Sequence, residues 1–164
     1  MCSSDLPYPP GGIADLIGRP LAAAMEKSLR QSVVITNRTG AAGAVGNAAA
    51  ANARPDGYTV LAAINSVVVI PEADKLFNRK PAFTLEQLAP VALISADPVI
   101  LVVHSSLPVK SVKELVALAK SRPNQISYTS SGIYGALHVP FEMFTHAAGI
   151  RMRHIPTKIG RAHV

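Results

Sequence analysis

The sequence predicts an α/β protein built on a largely parallel sheet. Three observations carry this. Short β-branched runs alternate with helical runs, Gly-containing loops lead into the helices, and one strand-like run is apolar on both faces. The composition agrees: of 164 residues, 49% are hydrophobic and 16% charged, enough apolar material for a buried core.

The first helix is read over ADLIGRPLAAAMEKSLRQ, with Ile17, Leu21, Met25 and Leu29 on one face at helical spacing. Pro20 removes a backbone donor inside it and predicts a kink. SVVIT, Ser32 to Thr36, reads as a strand. NRTGAAGAVG is a Gly-rich loop, followed by an Ala-rich helix to about Arg54. RPDG at 54–57 has good turn chemistry, because Pro55 presets the first corner and Asp56-Gly57 closes it. YTVLAAIN is the strand that is apolar throughout, as a doubly covered strand should be. A polar, Pro-containing stretch runs from Pro71 to Leu88. LAPVALIS and PVILVVH read as two strands split at Ala96-Asp97-Pro98, where the chain crosses into a second lobe. SVKELVALAK is a helix with Ser111 as cap and Glu114 completing a capping box. RPNQ turns the chain, ISYTSSG is a strand ending in a loop, a helix follows from Tyr134 to Ala148, and RMRHIP is a last strand.

Charge and residue counts exclude some functions. The net charge is +6, but Lys and Arg are scattered and form no stripe, so a basic solvated surface explains it. The chain has no Trp and few aromatics, which argues against a nucleic-acid stacking platform. Cys2 is the only cysteine and does not discriminate between compartments. No signal peptide and no bilayer-spanning run is visible.

The two ends carry a separate expectation. MCSSDL can be written GTG TGC TCT TCC GAT CT. The reverse complement of that string encodes the end of Lys158 and then Ile159 to His163. The ends read as two strands of one DNA element, a sequencing adapter translated at both edges of an insert. Residues 1–6 and 159–164 are therefore expected to be non-native and are left out of the fold reasoning.

Two loops have the position and chemistry of a ligand site. PPGG, Pro9, Pro10, Gly11 and Gly12, and TSSG, Thr129, Ser130, Ser131 and Gly132, both lead into helices and both lack Lys and Arg. In open α/β sheets ligands sit beyond the carboxyl ends of strands, where helix N-termini offer free N–H groups and a partial positive charge. Glycines let a ligand approach the backbone, and prolines stiffen the loop. An anion can be held there without cationic side chains.

Two enzyme readings compete. Ser130 or Ser131 with His138 and Asp97 resembles a nucleophile set, but YTSSG lacks the first glycine of a hydrolase elbow. VVIT followed by GAAGAVG and a helix imitates a nucleotide-binding unit. The glycine spacing is wrong for it, and the next strand ends in Asn65 instead of an acidic residue.

PYPPGGIADLIGRPLA, VVITNRTGAAGAVG, RPDGYTVL, LAPVALI, ILVVHSSLPVKSVKELVALAKSRP, YTSSGIYGALHVPFEMF and HIPTK together resemble the solute-binding proteins of tripartite tricarboxylate transporters, the Bordetella uptake gene receptors. The resemblance runs from Pro7 to Lys158, in order. It implies a type II periplasmic-binding-protein-like fold, two-lobed and here truncated at both ends. It also implies a carboxylate ligand in the cleft, no catalysis, no cofactor and no metal. The ligand would pass to two membrane subunits, and the receptor would be periplasmic, its signal peptide lost from this chain.

The site carries over residue by residue to Pro9, Pro10, Gly11, Gly12 and Asp15 in the first lobe, and to Thr129, Ser130, Ser131, Gly132 and His138 in the second. Asn65 and Ser66 match more weakly, at the end of a first-lobe strand. Asn37, Arg38, Gly40 and Gly43 match a segment read as structural. The first lobe is expected over 7–97, lacking its leading strand and its C-terminal return, and the second over 98–158, also incomplete.

Overall fold

The structure is a computed structural model that describes residues 2–130 and 132–156. Its first sheet is parallel, with strand order β2-β1-β3, from Cys2–Leu6 (β1), Val33–Asn37 (β2) and Thr59–Leu61 (β3). Each strand leads into a helix: Ile13–Leu29 (α1), Ala44–Ala51 (α2) and Ser66–Leu76 (α3). The helix Val112–Ser121 (α4) precedes a second parallel sheet, Ser127–Ser130 (β4) with Arg153–Pro156 (β5), joined through His138–Ala148 (α5). Two parallel sheets with helical crossovers are the α/β architecture expected, in two lobes.

The expectation that no strand precedes PYPPGG is corrected. Cys2–Leu6 is the central strand of the first sheet, paired Cys2↔Val33 to Leu6↔Asn37 on one side and Ser3↔Thr59 to Asp5↔Leu61 on the other. The strand expected to be missing before PYPPGG is this one. A parallel ladder uses backbone N–H and C=O groups, which any non-proline residue supplies, so a polar pentapeptide can fill a central position. Leu6 is 0% exposed and forms the apolar contact with α1, at Gly18. Asp5, 3% exposed, is held by the Arg38 guanidinium at 3.3 Å. Residues 159–164 lie outside the described residues.

Helix α1 also differs from its predicted face. Its buried residues are Ala14, Asp15, Gly18 and Ala22, whereas Leu29 is exposed. Small residues at i, i+4 and i+8 let the helix axis approach the sheet closely. The helix continues through Pro20. In the Gly-rich segment, a Cβ on Gly46 would stand 2.6 Å from Pro7 Cα and 2.7 Å from the Arg38 carbonyl oxygen. Backbone meets backbone there, so only glycine fits.

Three further boundaries move. Helix α3 occupies Ser66–Leu76, where a strand end and a polar stretch were expected, and Pro71 lies buried inside it. Helix α5 begins at His138 instead of Tyr134. The two strands expected in 88–104 do not form: the run has no regular secondary structure and no sheet partners among the described residues, with Val91 90%, Leu93 84% and Val102 81% exposed. A β-rich sequence becomes a strand only when another strand accepts its hydrogen bonds.

Two outcomes follow. The chain made as written should bind a hydrophobic dye and melt without a cooperative transition, because its longest apolar run is uncovered. A cooperative melt with native-like near-UV dichroism would contradict this. In a receptor of the relatives' full length, Gly46→Ala should cost about 1–3 kcal/mol in urea unfolding by overpacking against Pro7.

Candidate functional site

The C-terminal ends of β1, β2 and β3 lie side by side, and Arg38 N–H to Leu6 C=O (2.8 Å) and Ala62 N–H to Asp5 C=O (3.1 Å) extend the ladder to the loops. The three helices that follow therefore start at one edge. Gly12, Gly43 and Asn65 cap α1, α2 and α3, and none supplies a side-chain cap. By contrast α4 is capped by Ser111 Oγ, which accepts from Glu114 N–H at 3.2 Å. The first-turn donors of the three clustered helices thus lack the acceptor that a capping side chain provides.

Tyr8 ties this edge together. Its hydroxyl hydrogen-bonds Ser66 Oγ at 2.5 Å, and its ring lies against Gly43. Burial pushes the phenol above its ordinary pKa, against the opposing hydrogen bonds to Ser66 and the Ile64 backbone. Ser66 is fully buried and so engaged with Tyr8. Gly11 adopts φ +81, a left-handed conformation suited to glycine, with open space beyond its Cα.

Asp15 lies near the start of α1, as expected. It is buried, and its carboxylate accepts from the Gly11 N–H (3.0 Å), from Arg19 Nε (2.9 Å) and from Asn37 Nδ2 (3.2 Å). Asn37 also donates to the Tyr8 carbonyl at 3.0 Å. The Arg19 hydrogen bond, then the Gly11 N–H, holds the Asp15 carboxyl down to about 2. Its oxygens face the loop's own backbone. Asp15 shapes the PPGG loop, and Gly11 N–H is committed to it.

In the second lobe, Ser130 and Tyr128 share one face of β4, and His154 lies opposite Tyr128 on β5. Ser130 is 1% exposed and its Oγ hydrogen-bonds His154 Nε2 at 2.8 Å. The His154 ring stacks on Tyr128 (4.8 Å) and lies 4.2 Å from His138. Tyr128 donates to Glu142, and burial followed by the Glu142 carboxylate raises its phenol pKa. Thr129 is exposed at the strand end, and Ser131 lies outside the described residues. The serine pairs with His154 and not with His138, while Asp97 sits on the exposed run, accepting from Ser95 at 2.6 Å. Among the described residues, Ser130, His138 and Asp97 do not form the nucleophile set considered from sequence.

The two lobes meet at the candidate site. A Cβ on Gly132 would stand 3.6 Å from Ala42 Cβ, Asn65 Nδ2 donates to the Ala136 carbonyl at 3.3 Å, and the Phe77 and Tyr134 rings are 6.0 Å apart. The structure brings together the loops containing Gly11, Gly12, Asn65, Ser66, Gly132 and His138. Sequence reasoning missed Tyr8 and His154, while Asn37, read as structural, holds Asp15 and the Tyr8 carbonyl. Tyr8 lay inside the quoted PYPPGG motif. His154 carried no signal in the linear order.

The profile described as the tripartite tricarboxylate transporter family receptor matches residues 17–163. The chain belongs to this family. BugT of Bordetella pertussis is 34% identical over 153 residues, covering 93% of this chain and 47% of that protein. A protein from the tcbD-tcbE intergenic region of Pseudomonas sp. strain P51 is 32% identical over 152 residues, 92% of this chain and 44% of that protein. Among solved structures, the periplasmic binding protein BugD superposes with TM-score 0.71 at 27% identity, covering 96% of this chain and 52% of that one. Rpa4515 of R. palustris, solved with adipate, gives TM-score 0.70 at 27% identity with the same coverage. The fold of this family is the two-lobed periplasmic-binding type. The chain spans about half the length of the relatives it matches.

The Asp15 pKa has a sign that can be measured. A carboxyl lowered from 3.8 to about 2 contributes stability that is full above about pH 4 and is lost as pH falls towards 2. Asp15→Asn should remove that part of the acid dependence in acid unfolding of the full-length protein. An unchanged acid profile would show that the carboxylate is not held by Arg19 and Gly11.

Proposed function

We propose that this chain forms the ligand-facing part of an extracytoplasmic receptor for small carboxylates. One observation carries the reading: three helix N-termini without side-chain caps converge at the carboxyl edge of β1–β3, opposite a Gly-ended loop of the second lobe. The positive ends of helices that no side chain caps suit an anion. Family membership and adipate in the related Rpa4515 point to the same class of ligand.

In this reading Gly12, with the first turn of α1, receives one carboxylate. Pro9, Pro10 and Gly11 set the loop's shape, with Asp15 holding it from behind. The 129–132 loop, Ser131 included, receives the other end of the ligand. Binding favours closed lobes, because only closure lets both loops reach one molecule. The receptor acts in the periplasm and passes its ligand to the membrane subunits of a tripartite transporter. No helix among the described residues is long and apolar enough to cross a membrane.

A hydrolase reading is less well supported, since Ser130 is buried and engaged by His154. The nucleotide reading loses its loop, because Gly46 is occupied by Pro7 and the Arg38 carbonyl.

The test is calorimetric titration of a full-length receptor carrying this sequence, with adipate as probe. Gly12 has extended backbone angles, and a Cβ there would stand 3.4 Å from the Pro9 carbonyl oxygen, so Gly12→Val should fold. It should weaken adipate binding by about tenfold or more, or ~1.4 kcal/mol. Unchanged affinity in both Gly12→Val and Ser131→Ala would remove these loops from the site.

A further inference from the structure

Asn65 and His138 were both expected to touch the ligand, and each holds a protein partner in the structure. Each grips the backbone of the segment 132–137, between β4 and α5. Asn65 reaches it from the first lobe through the Ala136 carbonyl, at 3.3 Å. His138 reaches it from α5, its Nδ1 accepting the Tyr134 N–H at 3.2 Å. Tyr134 sits at φ +59, a conformation that a bulky L-residue rarely adopts and that persists only when its surroundings hold it. Its ring lies near Phe77 of the first lobe and meets the His138 ring edge-on, both at 6.0 Å.

We propose that Asn65 and His138 are positioning residues that pin the 132–137 segment across the cleft, so that the second-lobe loop is set against the first lobe before a ligand arrives. The inference rests on the receptor reading for its effect on affinity, but the pinned segment itself is independent of it.

The chemistry gives the proposal a sign. Nδ1 accepts a hydrogen bond only in neutral imidazole with its proton on Nε2. Protonation turns Nδ1 into a donor facing the Tyr134 N–H, and the pin is lost. The groups around His138 are His154 of β5 (4.2 Å between rings), Glu142 one turn along α5 (3.9 Å from Nε2) and the Tyr134 ring. Burial, followed by His154, lowers the His138 pKa below its ordinary value, against Glu142, so the accepting form is retained at neutral pH. A positioning His138 makes affinity fall on acidification, as Nδ1 is protonated. A His138 that touched the ligand carboxylate directly would make affinity rise.

The experiment uses a full-length receptor carrying this sequence, titrated with adipate between about pH 5 and 8. His138→Asn is the reference, because the Asn oxygen can accept at the Nδ1 position and does not titrate. Adipate's own protonation cancels in the ratio of the two proteins. The expected result is that wild-type affinity falls relative to His138→Asn as pH falls. His138→Leu and Asn65→Leu should be weakened about tenfold at neutral pH. A wild-type affinity that rises relative to His138→Asn, or stays level with it, overturns the proposal.

Amide exchange in the ligand-free protein provides a second readout. The 132–137 amides should exchange faster in His138→Leu and Asn65→Leu than in wild type or His138→Asn, with other protected amides unchanged. Equal exchange in all four proteins also overturns the proposal. If wild type binds no adipate, the receptor reading fails for that ligand, and the exchange result alone decides whether the segment is pinned.

Discussion

The cleft edge of the first lobe depends on one buried carboxylate. Asp15 lies in the first turn of α1 and accepts from Gly11 N–H, Arg19 and Asn37 at once. Through Gly11 it sets the PPGG loop, and through Asn37 it reaches the Tyr8 carbonyl and the end of β2. A buried carboxylate is tolerable only when it is fully paired, so these partners hold one another in place. The result is a rim tied together by hydrogen bonds among its own residues.

Tyr8 extends that rim sideways. Its backbone belongs to the PPGG loop, its ring covers Gly43 at the start of α2, and its hydroxyl reaches Ser66 at the start of α3. Three loops from three strands are therefore mechanically one body. The second lobe is organised differently, around stacked rings: Phe141 on Tyr128, Tyr128 on His154, and His154 beside His138. An aromatic stack with one serine hydroxyl at its end supports a loop by packing more than by charge. One rim is therefore built from polar contacts and the other from packed rings.

The exposed run at 88–104 shows the opposite condition. Its residues have the β-branched character of strands, yet they pair with nothing among the described residues. Strand propensity describes how well a residue fits a pleated, half-covered surface, and without neighbouring strands there is no such surface. The contrast with β1 is instructive. CSSDL has little strand character, yet it is a strand because β2 and β3 flank it.

The local features were legible in the sequence because their causes are local. The alternation of elements, the RPDG turn, the Ser111 cap on α4 and the placement of PPGG and TSSG ahead of helices all follow from periodicity and from residues a few positions apart. Pairing was not legible. His154, which Ser130 bonds, is 24 residues away, and Ala136, which Asn65 bonds, is 71 away. Neither spacing corresponds to a helical turn or a strand register within one element. Tertiary structure alone decided that residues 2–6 form the central strand, that Asp15 faces its own loop, and that His138 holds Tyr134. The physical reason is the same in each case. A side chain's type limits the bonds it can make, but which bond it makes depends on the groups that folding brings within hydrogen-bond reach.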